Sequence, residues 1–322
     1  SHTFDKPAAN AVTGPNFFDR VFDGSFSTQE IRQAENNNYV SNISYGLAEG
    51  YTLRSVTAYV DTDLEINNVP GSLAFIREDV RDGSDFTQDV RIEITESANT
   101  GLTGVVGVSY GDFKNDIDTR LLSDITGDAI ADPVQIGKFG SESETQAIYA
   151  DLRYKIFDKW SLLGGLRYQH DVVTNTGDVD LFGFIPVAFE TEATFDVLLP
   201  KYGLAYEIDE TQTIAATASR GYRQGFSELD LNVFAGTFDF NTVDPEFVWN
   251  YEAGLKSSLF ERALRLGVTG FYSDYTNLQQ TLFRINPQTN VRYPRVENAA
   301  TASISGVELD VEAIPLRGLR LR

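Results

Sequence analysis

The stretch IYADLRYKIFDKWSLLGGLRYQHD, from Ile148 to Asp171, decides the fold of this chain. Apolar and polar side chains alternate with a period of two on both sides of a tight turn near Asp158, as they do in β-strands with two different faces. One face carries Ile148, Ala150, Leu152, Tyr154 and Ile156 before the turn, and Trp160, Leu162, Leu166 and Tyr168 after it. The other face carries Asp151, Arg153 and Lys155, and then Ser161, Arg167, Gln169 and Asp171. This pattern predicts a hairpin of two long antiparallel strands.

The length of these strands favours a membrane over a soluble core. The same alternation runs through Tyr251–Leu259 and Leu264–Tyr272. Soluble sandwiches also alternate, but their strands average only about five or six residues. A strand tilted near 45° needs about 9–11 residues to cross a bilayer, which matches these runs. The chain contains no stretch of about 18 consecutive apolar residues, so spanning helices are excluded.

Short and long connections alternate along the chain. Tight turns are predicted near Glu49, Asn99, Asp158, Glu210, Glu261 and Leu316. Between them lie long polar stretches at Asp61–Asp85, Asp112–Glu144, Val173–Glu190, Arg223–Asp244 and Asn277–Ala299. Outer-membrane barrels have short turns at the periplasmic end and long loops at the extracellular end. We therefore predict an all-β fold, an antiparallel transmembrane β-barrel domain spanning 1–322 with about eleven complete strands and the start of a twelfth.

Composition and charge limit the classes of binding partner that the chain can have. The net charge is −21, and its acids concentrate in the long polar stretches. These acids are read as solvated loops kept open by repulsion, with binding of divalent cations or a cationic substrate as the alternative. A nucleic-acid partner is disfavoured because phosphate binding needs clustered Lys and Arg. The first 36 residues, with Pro7, Gly14, Pro15 and Gly24, read as the end of a long loop, and both ends of the chain read as internal to a longer protein.

The residues that catalysis would need are missing from the sequence. The chain has no cysteine and two histidines, His2 and His170, so a catalytic triad or a His-ligated metal would rest on one residue. The aspartates Asp124, Asp128 and Asp132 do not have the spacing of a calcium-binding hand. We expect no enzyme activity, no catalytic or metal site and no cofactor.

Aromatic residues recur near the predicted strand ends, where a barrel places its interfacial girdles. They are Tyr45, Tyr59, Tyr110, Phe157, Trp160, Tyr168, Tyr206 and Trp249. Ordinary core packing is the alternative, and it would favour positions at mid-strand.

Arg220 shares the apolar face with Ile214, Ala216 and Ala218. Ten residues above the turn at Glu210, it lies roughly 23 Å up a tilted strand, at the outer interface. We predict that Arg220 reaches lipopolysaccharide phosphate, with a local bulge that turns it inward as the alternative.

Eight strings resemble the TonB-dependent receptors of the Gram-negative outer membrane, and they cover nearly the whole chain in the family's order. They are TLRSVTAYVDTD from Thr52, FTQDVRIE from Phe86, GGLRYQHD from Gly164, PKYGLAYEI from Pro200, SRGYRQGF from Ser219, PEFVWNYEAGLKSSLF from Pro245, FYSDYTNLQ from Phe271 and NAATASISGVELDVEAIPLRGLRL from Asn298. The resemblance implies part of a 22-stranded barrel whose N-terminal plug and C-terminal strands lie outside this chain. It also implies uptake powered by the TonB-ExbB-ExbD complex through the plug.

The family implies cargo, partners and location as well. A ferric siderophore is the commonest cargo, followed by cobalamin or an oligosaccharide. The barrel would contact lipopolysaccharide and outer-membrane lipid. A passive diffusion porin and a soluble all-β binding module are the alternatives from other classes.

Two sets of site residues are predicted. The apex residues Tyr222, Arg223 and Phe226, with His170 as an outsider, are the candidate ligand contacts. Five residues are expected to face the lumen or the plug, namely Arg153, Arg167, Glu252, Lys256 and Glu308. The chain departs from the family pattern where Gln224, Gly225, Phe226 and Ser227 follow Arg223, and a bulge is predicted at Pro200.

Overall fold

The computed structural model describes residues 2–5, 29–69, 76–96, 100–123, 132–181, 184–232, 237–260, 263–298, 301–316 and 319–321. Nearly all of them are strand. The strands are β1 His2–Asp5, β2 Gln29–Ala48, β3 Tyr51–Val69, β4 Ile76–Ile94, β5 Leu102–Ser123, β6 Asp132–Phe157, β7 Trp160–Leu181, β8 Ile185–Asp209, β9 Gln212–Arg223, β10 Phe226–Asn232, β11 Thr237–Val243, β12 Glu246–Leu259, β13 Leu264–Thr276, β14 Gln279–Ile285, β15 Arg292–Asn298, β16 Ala302–Leu316 and β17 Leu319–Leu321. No helix in these ranges is long and apolar enough to cross a membrane.

Thirteen of the strands form one antiparallel sheet in the order β1 to β9, then β12, β13, β16 and β17. The remaining four form two separate hairpins, β10–β11 and β14–β15. Each strand of the sheet pairs with the next strand of that sheet along the chain, and the two separate hairpins interrupt the sequence after β9 and after β13. This is the connectivity of an up-and-down barrel wall. The predicted fold class is therefore confirmed, and the sheet is an open section of a barrel whose edge strands in the described residues are β1 and β17.

The predicted long loops are wrong, because the strands continue through them. For example, β3 pairs with β4 as far as Asn67↔Glu78, and β5 pairs with β6 as far as Ser123↔Asp132. The stretches Arg223–Asp244 and Asn277–Ala299 contain the two separate hairpins. The prediction that the first 36 residues form the end of a loop is also wrong in part, since β2 begins at Gln29 and pairs with β1.

The short connections agree with the sequence where they are described. Two-residue turns separate β2 from β3, β6 from β7 and β8 from β9, at Glu49, Asp158 and Glu210. Gly50 adopts the left-handed conformation (φ 79°) that a tight hairpin requires and that glycine reaches without strain. The predicted turn residues Asn99 and Glu261 lie outside the described residues, as do Asp124 and Asp128 of the acidic stretch.

One face of the sheet is apolar and open. Leu166 is 49% exposed and Ile148 is 58% exposed, although both lie in the middle of long strands. Leu152, Leu255 and Val268, on the same face, are half-buried. A soluble sandwich would cover such a face with a second layer, so this exposure indicates a surface that meets lipid. The opposite face is crowded, as Ser161 (1% exposed) and Ala205 (4%) show, which is expected on the inside of a curved wall.

Aromatic side chains border the open apolar face at two heights. Trp160 and Tyr206 pack together near the short turns, with ring centroids 4.6 Å apart. Tyr39 and Tyr59 stack at 6.3 Å, about ten residues from their turn. Tyr59, Tyr110 and Tyr168 therefore lie at mid-strand and not near strand ends as predicted, because the strands run on beyond the membrane. Trp160 and Tyr168 are eight residues apart on one strand. With a tilt near 45°, this separates the two belts by roughly 19 Å along the membrane normal.

Candidate functional site on the inner face

The five residues predicted to face the lumen lie on one face of the sheet. Directly paired residues in an antiparallel sheet share a face. Glu252 pairs with Thr217, Lys256 with Thr213, and Thr269 with Glu308. Arg153 and Arg167 lie on the crowded side of β6 and β7. A recess of about 470 Å³ brings Arg153, Glu252 and Lys256 together around a floor of small residues, Ala205, Thr213, Ala215, Thr217 and Gly254.

Ion pairs and hydrogen bonds link the charges of this inner face. Arg153 Nη2 donates to Glu207 Oε1 at 2.5 Å. Arg91 lies 2.9 Å from Asp89 and 3.0 Å from Glu93, and the Tyr149 hydroxyl donates to Asp89 at 2.5 Å. Charged groups at membrane height are tolerated when they face a polar interior and pair with one another. This arrangement is the one expected of the lumen side of a barrel wall.

Strand β8 has an unpaired edge above the membrane. Its ladder with β9 runs from Asp209↔Gln212 to Lys201↔Ser219 and ends next to Pro200. Its ladder with β7 continues in register past Pro200 to Leu181↔Ile185. The predicted bulge at Pro200 is wrong, and the register shift of β8 lies instead between Glu207 and Asp209. Pro186 and Pro200 point their backbone nitrogens to the same edge, where a missing N–H costs nothing in an unpaired strand.

Arg220 contacts this edge. Its Nη1 lies 3.5 Å from the carbonyl oxygen of Leu198, and its guanidinium carbon lies 3.9 Å from the centroid of the Phe247 ring. Leu198 is two residues from Pro200, so its carbonyl points to the same unpaired edge. The pairing of Arg220 with Trp249 stays in register, so no bulge turns it inward. Its contact with lipopolysaccharide phosphate stays a prediction.

The segment 222–227 crosses the inner faces of β6, β7 and β8. Gln224 Nε2 donates to Ser143 Oγ on β6 at 3.1 Å. The carbonyl of Ser227 accepts hydrogen bonds from Asn175 on β7 and Thr191 on β8, both at 2.8 Å. The chain at Gly225 lies so close to Phe195 that a Cβ atom there would stand 2.9 Å from its ring. Above the membrane, β9 therefore separates from β8 while it stays paired with β12, and the segment at its end passes inside the wall.

Tyr222 and Asp171 meet where this segment crosses β7. Asp171 is completely buried and accepts hydrogen bonds from Thr145 Oγ1 at 2.7 Å and from Gln169 Nε2 at 2.9 Å. The Tyr222 hydroxyl is enclosed beside Asp171 without the geometry of a full hydrogen bond. Burial raises the pKa of Tyr222, and the nearby Asp171 raises it further. Tyr222 is therefore placed to hold the segment against the wall.

The four candidate ligand contacts do not lie together. Arg223 is exposed, and since it follows Tyr222 in the strand it points the other way, into the lumen. Phe226 is half-buried in the pair with Val243. His170 lies on the outer face beside Tyr168, and its Nδ1 is 2.9 Å from Asp196. The alternation in the sequence already assigned His170 to that face, whereas the role of Asp171 had no local signal.

The two separate hairpins pack against each other. Gln279 Nε2 donates to the carbonyls of Gln224 at 2.9 Å and Asp244 at 3.1 Å, and the Gln279 backbone N–H donates to Glu246 at 2.8 Å. Asn241 on β11 donates to the carbonyl of Val296 on β15 at 2.7 Å. Together the hairpins form a polar cap that is hydrogen-bonded to the segment 222–227, which is called the inward segment below.

The family is shown by a comparison with known proteins. A family model described as "TonB dependent receptor-like, beta-barrel" matches residues 2–321. The chain belongs to the TonB-dependent receptors. Members of this family are Gram-negative outer-membrane proteins, which assigns this receptor segment to the outer membrane and to a family of transporters and receptors rather than enzymes.

Individual relatives of this TonB-dependent receptor are distant. The pesticin receptor of Yersinia pestis is 24% identical over 170 residues, which make up 53% of this chain and 24% of that protein. The ferric yersiniabactin uptake receptor of Yersinia pestis has a TM-score of 0.74 and 18% identity, over 92% of this chain and 42% of that chain. A siderophore receptor of Acinetobacter baumannii has a TM-score of 0.67 and 15% identity, over 90% and 46%. This chain spans less than half the length of these receptors.

Proposed function

We propose that the complete receptor takes up a ferric siderophore across the outer membrane by TonB-dependent transport. The observation that carries this proposal is the charged inner face at membrane height, with Arg153, Glu252 and Lys256 around one recess. Glu252 and Lys256 are exposed in this chain, although they lie opposite the lipid-facing side. Charges in such a position need a polar interior, which a plug domain provides.

The structural relatives support the choice of cargo. Several of them are receptors for ferric siderophores, and they share this fold over most of the chain. In the proposed mechanism, the cargo enters at the mouth, where Arg223 and Phe226 lie on the segment 222–227. The plug then opens when TonB, driven by its inner-membrane complex with ExbB and ExbD, acts on it.

Uptake of radioactive iron by iron-starved cells tests this proposal. Cells that produce the full-length receptor are supplied with ferric yersiniabactin, ferric preacinetobactin or ferric citrate, with and without TonB. We expect uptake of at least one complex that is lost without TonB. Uptake that is independent of TonB and extends to unrelated small solutes would instead identify a diffusion porin.

A further inference from the structure

The polarity of the wall reverses above the upper aromatic belt. Within the membrane, β6 and β7 place Leu166 and Ile148 outside and Arg153 and Arg167 inside. Above Tyr168, the outer face of β5 to β8 becomes acidic instead. Its carboxylates are Asp112, Asp116, Asp118, Glu142, Glu144, Asp178, Asp180, Glu190, Glu192 and Asp196.

The inner face of the same stretch is almost free of charge. Across 111–121, 135–147, 171–181 and 185–197, the inward positions are neutral except for Asp171. Large apolar side chains among them include Phe113, Ile117, Phe139, Val179 and Phe195. Asp171 itself is buried beneath the segment 222–227, and its carboxylate accepts a hydrogen bond from Thr145. The mouth of the barrel therefore presents an apolar, aromatic lining on this side.

Half of this lining is already covered by the chain itself. Hairpin β10–β11 lies over β7 and β8, where the rings of Phe240 and Phe189 meet edge to face with centroids 6.5 Å apart. The Phe189 ring rests on Gly177, where no Cβ would fit. The contact between Phe240 and Phe189 shows that this lining packs against an uncharged aromatic ring.

The other half, on β5 and β6, is left uncovered by the residues of this chain that the structure describes. Phe113 is 37% exposed, and its ring lies over Gly111, so that it lines the wall flat. Ile117 pairs directly with Phe139, and both are half-buried. The inward segment borders this half at Ser143, through its contact with Gln224. The result is an inner surface with apolar side chains at its centre and hydroxyl and amide groups at its edge, and the segment that carries the exposed Arg223 borders it at Ser143.

We propose that this inner surface of β5 and β6 selects ferric chelates that present an uncharged aromatic surface, and that it discriminates against highly anionic ones. The proposal rests on the function proposed above and specifies its class of substrate. On the neighbouring strand β4, Arg81 lies opposite Ile117 but is ion-paired with Asp79, and Asp85 lies opposite Phe113. A polyanionic complex would lose hydration against the apolar side chains and would approach Asp85, whereas a neutral aromatic complex replaces water on both surfaces.

Equilibrium dialysis with the purified full-length receptor tests this selectivity. The probes are iron(III) tris-tropolonate, which is neutral, and iron(III) tris-catecholate, which has a similar shape and is trianionic. We expect the neutral complex to bind at least about tenfold more tightly, a difference of about 1.4 kcal/mol. Phe113→Ala should weaken the neutral complex by about tenfold and leave the anionic one unchanged. Phe113→Lys should strengthen binding of the anionic complex.

Ile136→Lys is the matched control, because it adds the same charge to the outer face of the same hairpin. It should leave both affinities unchanged. Tighter binding of tris-catecholate, binding of neither complex, or an unchanged affinity in Phe113→Ala would each overturn the proposal. TonB-dependent uptake of anionic complexes alone would overturn this selectivity and leave the proposed transport function standing, whereas loss of all TonB dependence would remove the transport function itself.

Discussion

At the scale of single residues, Arg220 shows how one side chain stabilises an interrupted sheet. It bridges the Leu198 carbonyl, which has lost its ladder partner, and the Phe247 ring on β12. Both contacts are of modest strength, since one is long and the other is a cation–π contact near the surface. The Arg220 side chain therefore links β8 to β12 at the point where β9 separates from β8.

Arg220→Ala should lower the free energy of unfolding by about 1 kcal/mol, because the cation–π contact and the bond to Leu198 are both lost. Urea unfolding in phospholipid bilayers, with and without lipopolysaccharide, measures this effect. Lys138→Ala, an exposed lysine on the outer face of β6, is the control and should have little effect. A loss that appears only with lipopolysaccharide would show that Arg220 acts on the lipid and not on Leu198.

Asp171 is the second residue with a structural role at this point. Asp171→Ala should free the segment 222–227, because Thr145 and Gln169 lose their acceptor and Tyr222 loses its polar neighbour. We expect amide exchange in this segment to accelerate about tenfold or more, measured by mass spectrometry. Asp178→Ala, an exposed outer-face aspartate on the same strand, should leave the exchange unchanged. Equal acceleration in both variants would contradict the role of Asp171.

At the scale of elements, hairpin β14–β15 depends on one cross-strand ion pair. Arg284 Nε donates to Glu297 at 2.8 Å, and a second contact joins the same two groups. Hydrogen bonds from Arg284 hold the pKa of Glu297 below its usual value of 4.5. A lowered carboxyl pKa means that the pair stabilises the hairpin above the unfolded pKa and stops doing so as the pH falls through the folded pKa.

Hairpin β14–β15 should therefore open more readily below about pH 4 than at pH 7. The expected change is small, and it should shrink in high salt because Arg284 is half exposed. Amide exchange of 279–285 as a function of pH, corrected for the intrinsic exchange rate, measures it. Glu297→Gln should flatten the profile, and an unchanged profile in this variant would rule out the pair as its cause.

The sequence predicted the strands well where the apolar residues face outward. The alternation around Leu152, Leu166 and Leu255 identified both the strands and the charged residues that share the opposite face. The alternation did not identify the parts of β5 to β8 above Tyr168 as strands, because their outer face is acidic and such stretches resemble solvated loops. The departure of β9 from the wall was also missed, since it depends on contacts such as Gln224 with Ser143 that no local pattern records.

At the scale of the whole molecule, we expect the recess around Lys256 to face the plug of the complete receptor. Lys256→Glu would place two acids, with Glu252, beside the same floor of small residues. Repulsion between them, and with any acid of the plug, should weaken the closure of the barrel. Cells producing the full-length variant should become several-fold more sensitive to vancomycin, which the closed outer membrane excludes. Lys138→Glu makes the same charge change on the outer face of the mouth and should leave sensitivity at the wild-type level. If both variants resemble the wild type while the receptor is present in normal amounts, the recess does not contact the plug.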